Sequence, residues 1–306
     1  MLEVAGATVP QDAHSDLETA IAWGRSASVL RLLPLANLDN ARTLQLLLLS
    51  IERWGRPEIV RALIECGADP NALGGDPEQP FSVLSLAVST RREHAVRFLL
   101  DMGADPEKQA ESAALMKVAA EHGDIGIIEA LLDHGVPVDV PDHEAWTPLM
   151  EACHCSQIEA VRFLIRRGAN VNSATLNNPP EYLGGATPLL SAAKIKDGDP
   201  TILAELLDAG ADLEAADCCG NTALKWTETC GAANALKLLL ERGANVNPPT
   251  TGGFSVLDQA AMHGHEEVAA LLRAAGADEG ESARRGGYLI RMKMPGEDEA
   301  ELGQAD

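Results

Sequence analysis

The sequence predicts an all-α fold of stacked helix–turn–helix repeats, and three observations carry that prediction. A Gly-Ala-Asp/Asn signal recurs at Gly67-Ala68-Asp69, Gly103-Ala104-Asp105, Gly168-Ala169-Asn170, Gly210-Ala211-Asp212, Gly243-Ala244-Asn245 and Gly276-Ala277-Asp278, with Gly135-Val136 a degenerate member. Successive glycines stand 36, 32, 33, 42, 33 and 33 residues apart, a period that belongs to repeat architectures. Between them, apolar residues at helical spacing fall into two runs separated by a short break such as Gly123-Asp124 or Gly264-His265.

Taken from the amino terminus, residues 1–15 form an extension. Residues 16–39 read as a degenerate first unit, with Ala20, Gly24, Val29, Leu30, Leu32 and Leu33 at matching positions. Seven recognisable repeats follow at about 40–72, 76–107, 109–139, 142–173, 182–215, 217–248 and 250–278. The first helix of a unit opens at Thr147-Pro148-Leu149 or Thr187-Pro188-Leu189, with Thr222-Ala223-Leu224 and Ser255-Val256-Leu257 as variants. Proline in the first turn sacrifices no hydrogen bond, and the preceding hydroxyl can cap the free N–H groups. Small residues come next (Ala119-Ala120, Ala152-Cys153, Ala192-Ala193, Ala260-Ala261), so neighbouring helices can approach closely. The second helix carries its apolar face on residues such as Val161, Leu164 and Ile165, and stops at the glycine, where a left-handed cap is wanted. Its third apolar position is Leu100, Leu132, Ile165, Leu207 or Leu240 inside the array but Arg273 in the last unit, as expected of a terminal face with no successor. Residues 279–306, rich in Gly, Glu, Asp and Ser, read as an acidic disordered tail.

This grammar resembles the ankyrin repeat over roughly residues 40–278. The resemblance implies an ankyrin-type solenoid, with antiparallel helix pairs joined by short β-hairpin fingers. The His that often follows Thr-Pro-Leu in that family is replaced here by Ser85, Lys117, Met150, Leu190, Lys225 and Asp258. Its hydrogen-bond network between finger and helix is therefore expected to be absent or rebuilt.

Composition narrows the function. The chain holds 24 Lys and Arg against 46 Asp and Glu, a formal charge of -22. A surface that acidic repels phosphate backbones and anionic membranes, which argues against direct nucleic-acid binding and favours a protein partner with a basic surface. The amino terminus lacks a secretory pattern, and the richest apolar run, Leu44 to Ile51, is far shorter than the roughly 20 residues of a membrane span, so no membrane insertion is expected. Six cysteines in 306 residues read as free thiols in a reducing compartment. The expectation is a soluble cytoplasmic monomer, with the nucleus as the alternative compartment.

In the family it resembles, partners contact the fingers and the exposed ends of the inner helices. Those positions are here Phe81, His143, Glu144, Trp146, Asn221 and Phe254 on the fingers, and Thr90, His122, His154, Cys155, Lys194, Cys230 and His263 on the inner helices. Phe81, Trp146 and Phe254 each precede the Ser or Thr that opens a repeat; they are interface anchors or rings that merely cover finger backbone. The 42-residue step holds nine extra residues, seven of them before Thr187, so Tyr182 and Leu183 lie on an extended finger: a specificity element or a tolerated insertion.

Catalytic and metal motifs are missing. No phosphate loop, dinucleotide fingerprint, nucleophile elbow or His-Glu-x-x-His occurs. Cys153-His154-Cys155 with His143 invites zinc, but residues 153 and 155 of one helix point about 200° apart and cannot converge on one ion. No metal and no cofactor is expected. The sequence therefore reads as a non-catalytic adaptor or scaffold, with a stoichiometric inhibitor or regulatory subunit as the alternative. An enzyme would need a site improvised from His143, His154 and Cys155.

Overall fold

The structure, a computed structural model, describes residues 13–36, 38–76, 78–107, 111–176, 184–195, 200–248 and 254–278. The tail, the first twelve residues, Tyr182 and Leu183 lie outside them. Eight helix pairs run in order among the described residues: α1 (Ala13–Ala22) with α2 (Ser26–Leu32), α3 (Asn40–Arg53) with α4 (Pro57–Glu65), α5 (Val83–Ser89) with α6 (Glu93–Asp101), and α7 (Ser112–His122) with α8 (Ile125–Asp133). Then come α9 (Pro148–His154) with α10 (Ile158–Arg166), α11 (Pro188–Ala193) with α12 (Pro200–Asp208), α13 (Ala223–Cys230) with α14 (Ala233–Glu241), and α15 (Val256–Met262) with α16 (Glu266–Ala274).

Glycine dictates where each second helix stops. Gly67, Gly103, Gly135, Gly168, Gly210, Gly243 and Gly276 all have φ between 85° and 104°, a region that L side chains avoid. The small residues set the stacking. In α9 everything except His154 is buried, and all six residues of α11 are. With Ala and Cys153 at the contact, first helices pack directly on first helices (α1 on α3, α3 on α5, and so on to α15) and second helices on second helices (α2 on α4, through to α14 on α16). The principal contacts of every unit are to its immediate neighbours, so the core is a continuous stripe from Leu17 to Leu272 rather than a closed centre.

Hydroxyl caps occur where the repeat grammar asks for them. Thr147 and Thr187 accept the N–H of Met150 and Leu190, Ser82 accepts that of Ser85, and Ser255 forms a reciprocal capping box with Asp258. Thr222 departs from the pattern: its hydroxyl is buried with no partner among the described residues. The fingers differ in how they close. Among the described residues one true hairpin forms, β1 (Leu73–Asp76) against antiparallel β2 (Gln79–Ser82), with Leu73 opposite Ser82, plus a single bridge between Ala216 and Thr222. In two fingers a carboxylate reinforces the backbone closure, in which Asp142 N donates to Trp146 O and Asp217 N to Asn221 O, both at 3.1 Å. Asp142 accepts the N–H of Glu144 and Trp146, and Asp217 those of Cys219 and Asn221, all at 2.9 Å. The acceptor satisfies the N–H groups at the loop tip, which the short backbone closure leaves free.

Two further ladders join successive units. Four residues after the glycine, Asn71 donates to Gly103 O and accepts Asp105 N; Asn172 does the same with Gly210 O and Asp212 N. Asp139, Glu214 and Asn247 occupy that position in other units and accept from Asn170, Asn245 and Asp278. At the opposite end of the helices, the residue before three of the second helices reaches back to the first helix of the preceding unit. Arg92 donates to Glu52 O and Arg53 O, and Gln157 to Glu121 O, while His265 Nε2 lies 3.3 Å from Thr229 O.

Candidate partner-binding face

The turn between the two helices of a unit requires one residue with left-handed backbone, and Gly24, Gly55, Arg91, Gly123, Ser156, Gly231 and Gly264 supply it with φ between 55° and 76°. This fixes an equivalent position in each of these seven units, the residue just before. It is held by Trp23, Trp54, Thr90, His122, Cys155, Cys230 and His263, so five of the inner-helix candidates share one row along the stack. His154 and Lys194 stand one residue earlier. Trp23, Trp54, His122, His154 and His263 are exposed, while Thr90, Cys155, Lys194 and Cys230 are half-buried.

Within the row the side chains differ in what they are free to do. Thr90 donates its hydroxyl to Leu86 O, and His122 Nδ1 lies 3.0 Å from Val118 O, both on their own helices. The Cys155 thiol sits 3.6 Å from Glu151 Oε1; burial, then that carboxylate, pushes its pKa up to about 11. Cys230 is likewise raised, by burial and by Glu228, and its thiol lies against Lys194 O. Both thiols are therefore protonated near neutral pH and are not poised nucleophiles.

The fingers add Phe81, half-buried beside Gly74, Phe254, which is exposed, and Trp146. The Trp146 ring is held at both ends. Its Nε1 donates to Glu151 Oε2 at 2.7 Å, and His154 meets it edge-on with centroids 6.0 Å apart. Asp142, below it, has its pKa lowered: burial alone would raise it, but the N–H groups of Trp146 and Glu144 and the Lys117 ammonium outweigh that. Asn221 folds back, donating Nδ2 to Asp217 Oδ2. His143 is almost fully exposed, with Nε2 3.7 Å from Glu144 Oε1. The base of the inserted finger is pinned where Thr175 N donates to Ala186 O and Leu176 N to Glu144 O.

His143, His154 and Cys155 engage three different neighbours and make no hydrogen bond to one another. Among the described residues no group of three His, Cys, Asp or Glu side chains could hold a metal ion, and no helix is long and apolar enough to cross a membrane.

Four residues at or beside this face escape the repeat-opening logic of the sequence. Trp23 and Trp54 occupy the row outright. Trp226 lies on the same face, its Nε1 bonded to Asp217 Oδ2 and Lys194 Nζ 4.5 Å above its ring. Glu228 is fully buried where other units carry Ala120, Cys153, Ala193 or Ala261. Aligning units on the turn residue exposes Trp23 and Trp54, whose units lack a Thr-Pro-Leu opening, whereas Trp226 and Glu228, four and six residues after Thr222, align the same way on either landmark.

Comparison with known proteins agrees with this architecture. A family profile described as ankyrin repeats in three copies matches residues 84–175 and 185–282, and a single ankyrin-repeat profile matches residues 46–74. Similar proteins include an E3 ubiquitin-protein ligase KEG from Arabidopsis thaliana, 29% identical over 174 residues, which is 56% of this chain and 10% of that one. The ankyrin repeat and SOCS box protein 3 of Bos taurus is 32% identical over 173 residues, 56% of this chain and 32% of its own length. The B-cell lymphoma 3 protein homolog of Mus musculus is 26% identical over 262 residues, 81% of this chain and 55% of that protein. The chain thus spans from a tenth to about half of these relatives, and the likeness lies in the repeats. With nearest-neighbour helix pairs, left-handed glycine caps and profile matches covering well over half of its residues, the chain belongs to the ankyrin-repeat family.

Proposed function

We propose that the chain is a non-catalytic adaptor that holds a partner protein along the face made by its fingers and the turn-proximal ends of its first helices. Ankyrin repeats indicate a protein-interaction module. The observation that carries the specific reading is the row itself: Trp23, Trp54, His122, His154 and His263 stand exposed at nearly equivalent positions, with Phe254 exposed on a finger. Rings presented on a stiff frame lose little conformational entropy when they bind, and so make effective anchors. Thr90, Cys155, Lys194, Cys230, Phe81, Trp146, Asn221, His143 and Glu144 are assigned to the same surface, and Tyr182 and Leu183, outside the described residues, are assigned to it from the sequence alone. The excess of 46 acidic over 24 basic residues supports faster encounter with a partner of net positive charge. The chain acts in this reading as a monomer inside the cell.

Affinity capture from native lysate, comparing the natural chain with a Trp146→Ala/Phe254→Ala variant of verified helicity, tests it. Loss of captured partners is expected. Capture of every partner at full strength by the double variant contradicts it.

A further inference from the structure

We infer that the inter-helix turns of the first three units, the amino-terminal end of that row, form a docking site for a short acidic peptide segment carrying apolar side chains. The inference rests on the reading that the stack binds protein and refines it at the amino-terminal end, where the local charge is opposite to that of the whole chain.

The site comes from a sequence element used twice. Trp23-Gly24-Arg25 closes α1, and Trp54-Gly55-Arg56 closes α3 at the equivalent place, followed one unit on by Thr90-Arg91-Arg92. The stack brings these turns into contact. Trp54 Nε1 donates to Ala22 O at 2.9 Å. A methyl group added at Gly24 would stand 2.9 Å from Arg56 Nε and 3.3 Å from Trp54 Cδ1, so both side chains lie over the first turn. One at Gly55 would stand 2.8 Å from Arg92 Cβ. Glycine at both places satisfies the left-handed backbone and admits the side chain of the next unit.

Two tryptophans are thereby displayed at equivalent positions of successive units, Trp23 68% and Trp54 50% exposed, in a protein with only four. Around them stand Arg25, Arg53 and Arg56, all exposed, and Arg92. Arg91 is neutralised by a bidentate pair with Asp124 at 2.7 and 2.8 Å. The other four make no ion pair with a carboxylate among the described residues, although ten other Arg, Lys and His side chains do make one. Glu52, beside Arg53, is the one carboxylate within the residue spans 22–26, 52–56 and 89–92. In a chain of charge -22 this is a cationic and aromatic island. Guanidinium groups select carboxylates bidentately, and exposed indoles select apolar side chains between them. The acidic surface beyond the island tolerates a short peptide but repels a continuous phosphate backbone, which favours peptide over nucleic acid.

The test is fluorescence anisotropy and Trp quenching of the full chain with a fluorescein-labelled peptide of about twelve residues made of Glu, Asp and Leu. The comparison ligands are its Lys-for-acid counterpart and a single-stranded oligothymidine. Saturable binding of the acidic peptide is expected, weakened at least tenfold by Arg25→Glu/Arg53→Glu, two exposed sites where folding is not at stake, and also by Trp23→Ala. The Lys counterpart should not bind. Absence of saturation up to about 1 mM, unchanged affinity in the Arg variant, or tighter binding of the Lys peptide or the oligonucleotide overturns the inference. Failure here while the Trp146/Phe254 capture contrast holds leaves the adaptor reading standing; loss of that contrast while peptide binding persists does the reverse.

Discussion

The carboxylate of Glu228, completely buried in α13, places its Oε1 3.2 Å from Nδ1 of His263 at the end of the next first helix. This charged residue fills a position that other units keep small and neutral. Burial raises its pKa, and the neighbouring His263 offsets only part of that; Thr229 supplies a weaker hydrogen bond.

A pH-dependent stability difference follows. The folded carboxyl holds its proton to higher pH than the unfolded one, so folding takes up a proton in that interval. The group's stabilising contribution is full below the ordinary glutamate pKa and is lost as pH rises through the raised value. Glu228→Gln keeps the shape and removes the titration. Its melting temperature should exceed that of the natural chain by about 2 °C or more at pH 8, the gap closing towards pH 4. A gap that stays constant with pH would refute this assignment.

Backbone strain gives the second prediction. Ser156 adopts φ 58° at a turn position that most other units give to glycine, and its side chain is exposed. Relief of left-handed strain, less the entropy glycine loses on folding, should make Ser156→Gly more stable by about 0.5–1 kcal/mol in urea unfolding. Gly123→Ala should do the opposite by about 1 kcal/mol or more, because its methyl would also meet Gln157 Oε1 at 2.6 Å.

The loop ladder gives the third. Asn172 spans the longest repeat step, bonding Gly210 O at 3.1 Å and Asp212 N at 2.8 Å. Asn172→Ala should cost about 1–2 kcal/mol. Because coupling is between neighbours, hydrogen exchange should quicken first in α11 and α12 and least in α1 to α4. Uniform acceleration across the chain would argue for a single cooperative core instead.

What the sequence revealed and what it concealed have physical causes. The second-helix ends were legible because a left-handed cap leaves little choice but glycine. First-helix starts were legible because Thr-Pro-Leu states a cap and a first turn together. Asn71, Asp139, Asn172, Glu214 and Asn247 were not, since a polar residue in a loop announces no partner until a neighbouring repeat is placed beside it. Glu228 was concealed because a helical glutamate reads as solvated. The short hairpin fingers were legible, but not the carboxylates of Asp142 and Asp217 that reinforce two of them from inside the loop. Trp23 and Trp54 were concealed because their units lack the Thr-Pro-Leu opening that marks a first helix elsewhere.

Hydrogen exchange of the chain bound to a partner captured from lysate tests the proposed binding face most directly. Protection should appear in the fingers (79–82, 142–147 and 217–222) and at the first-helix ends around Thr90, His122, His154, Cys230 and His263. Protection confined to the second helices, the even-numbered α2 to α16, with those segments unchanged, would place the partner on the opposite side of the stack and contradict the account.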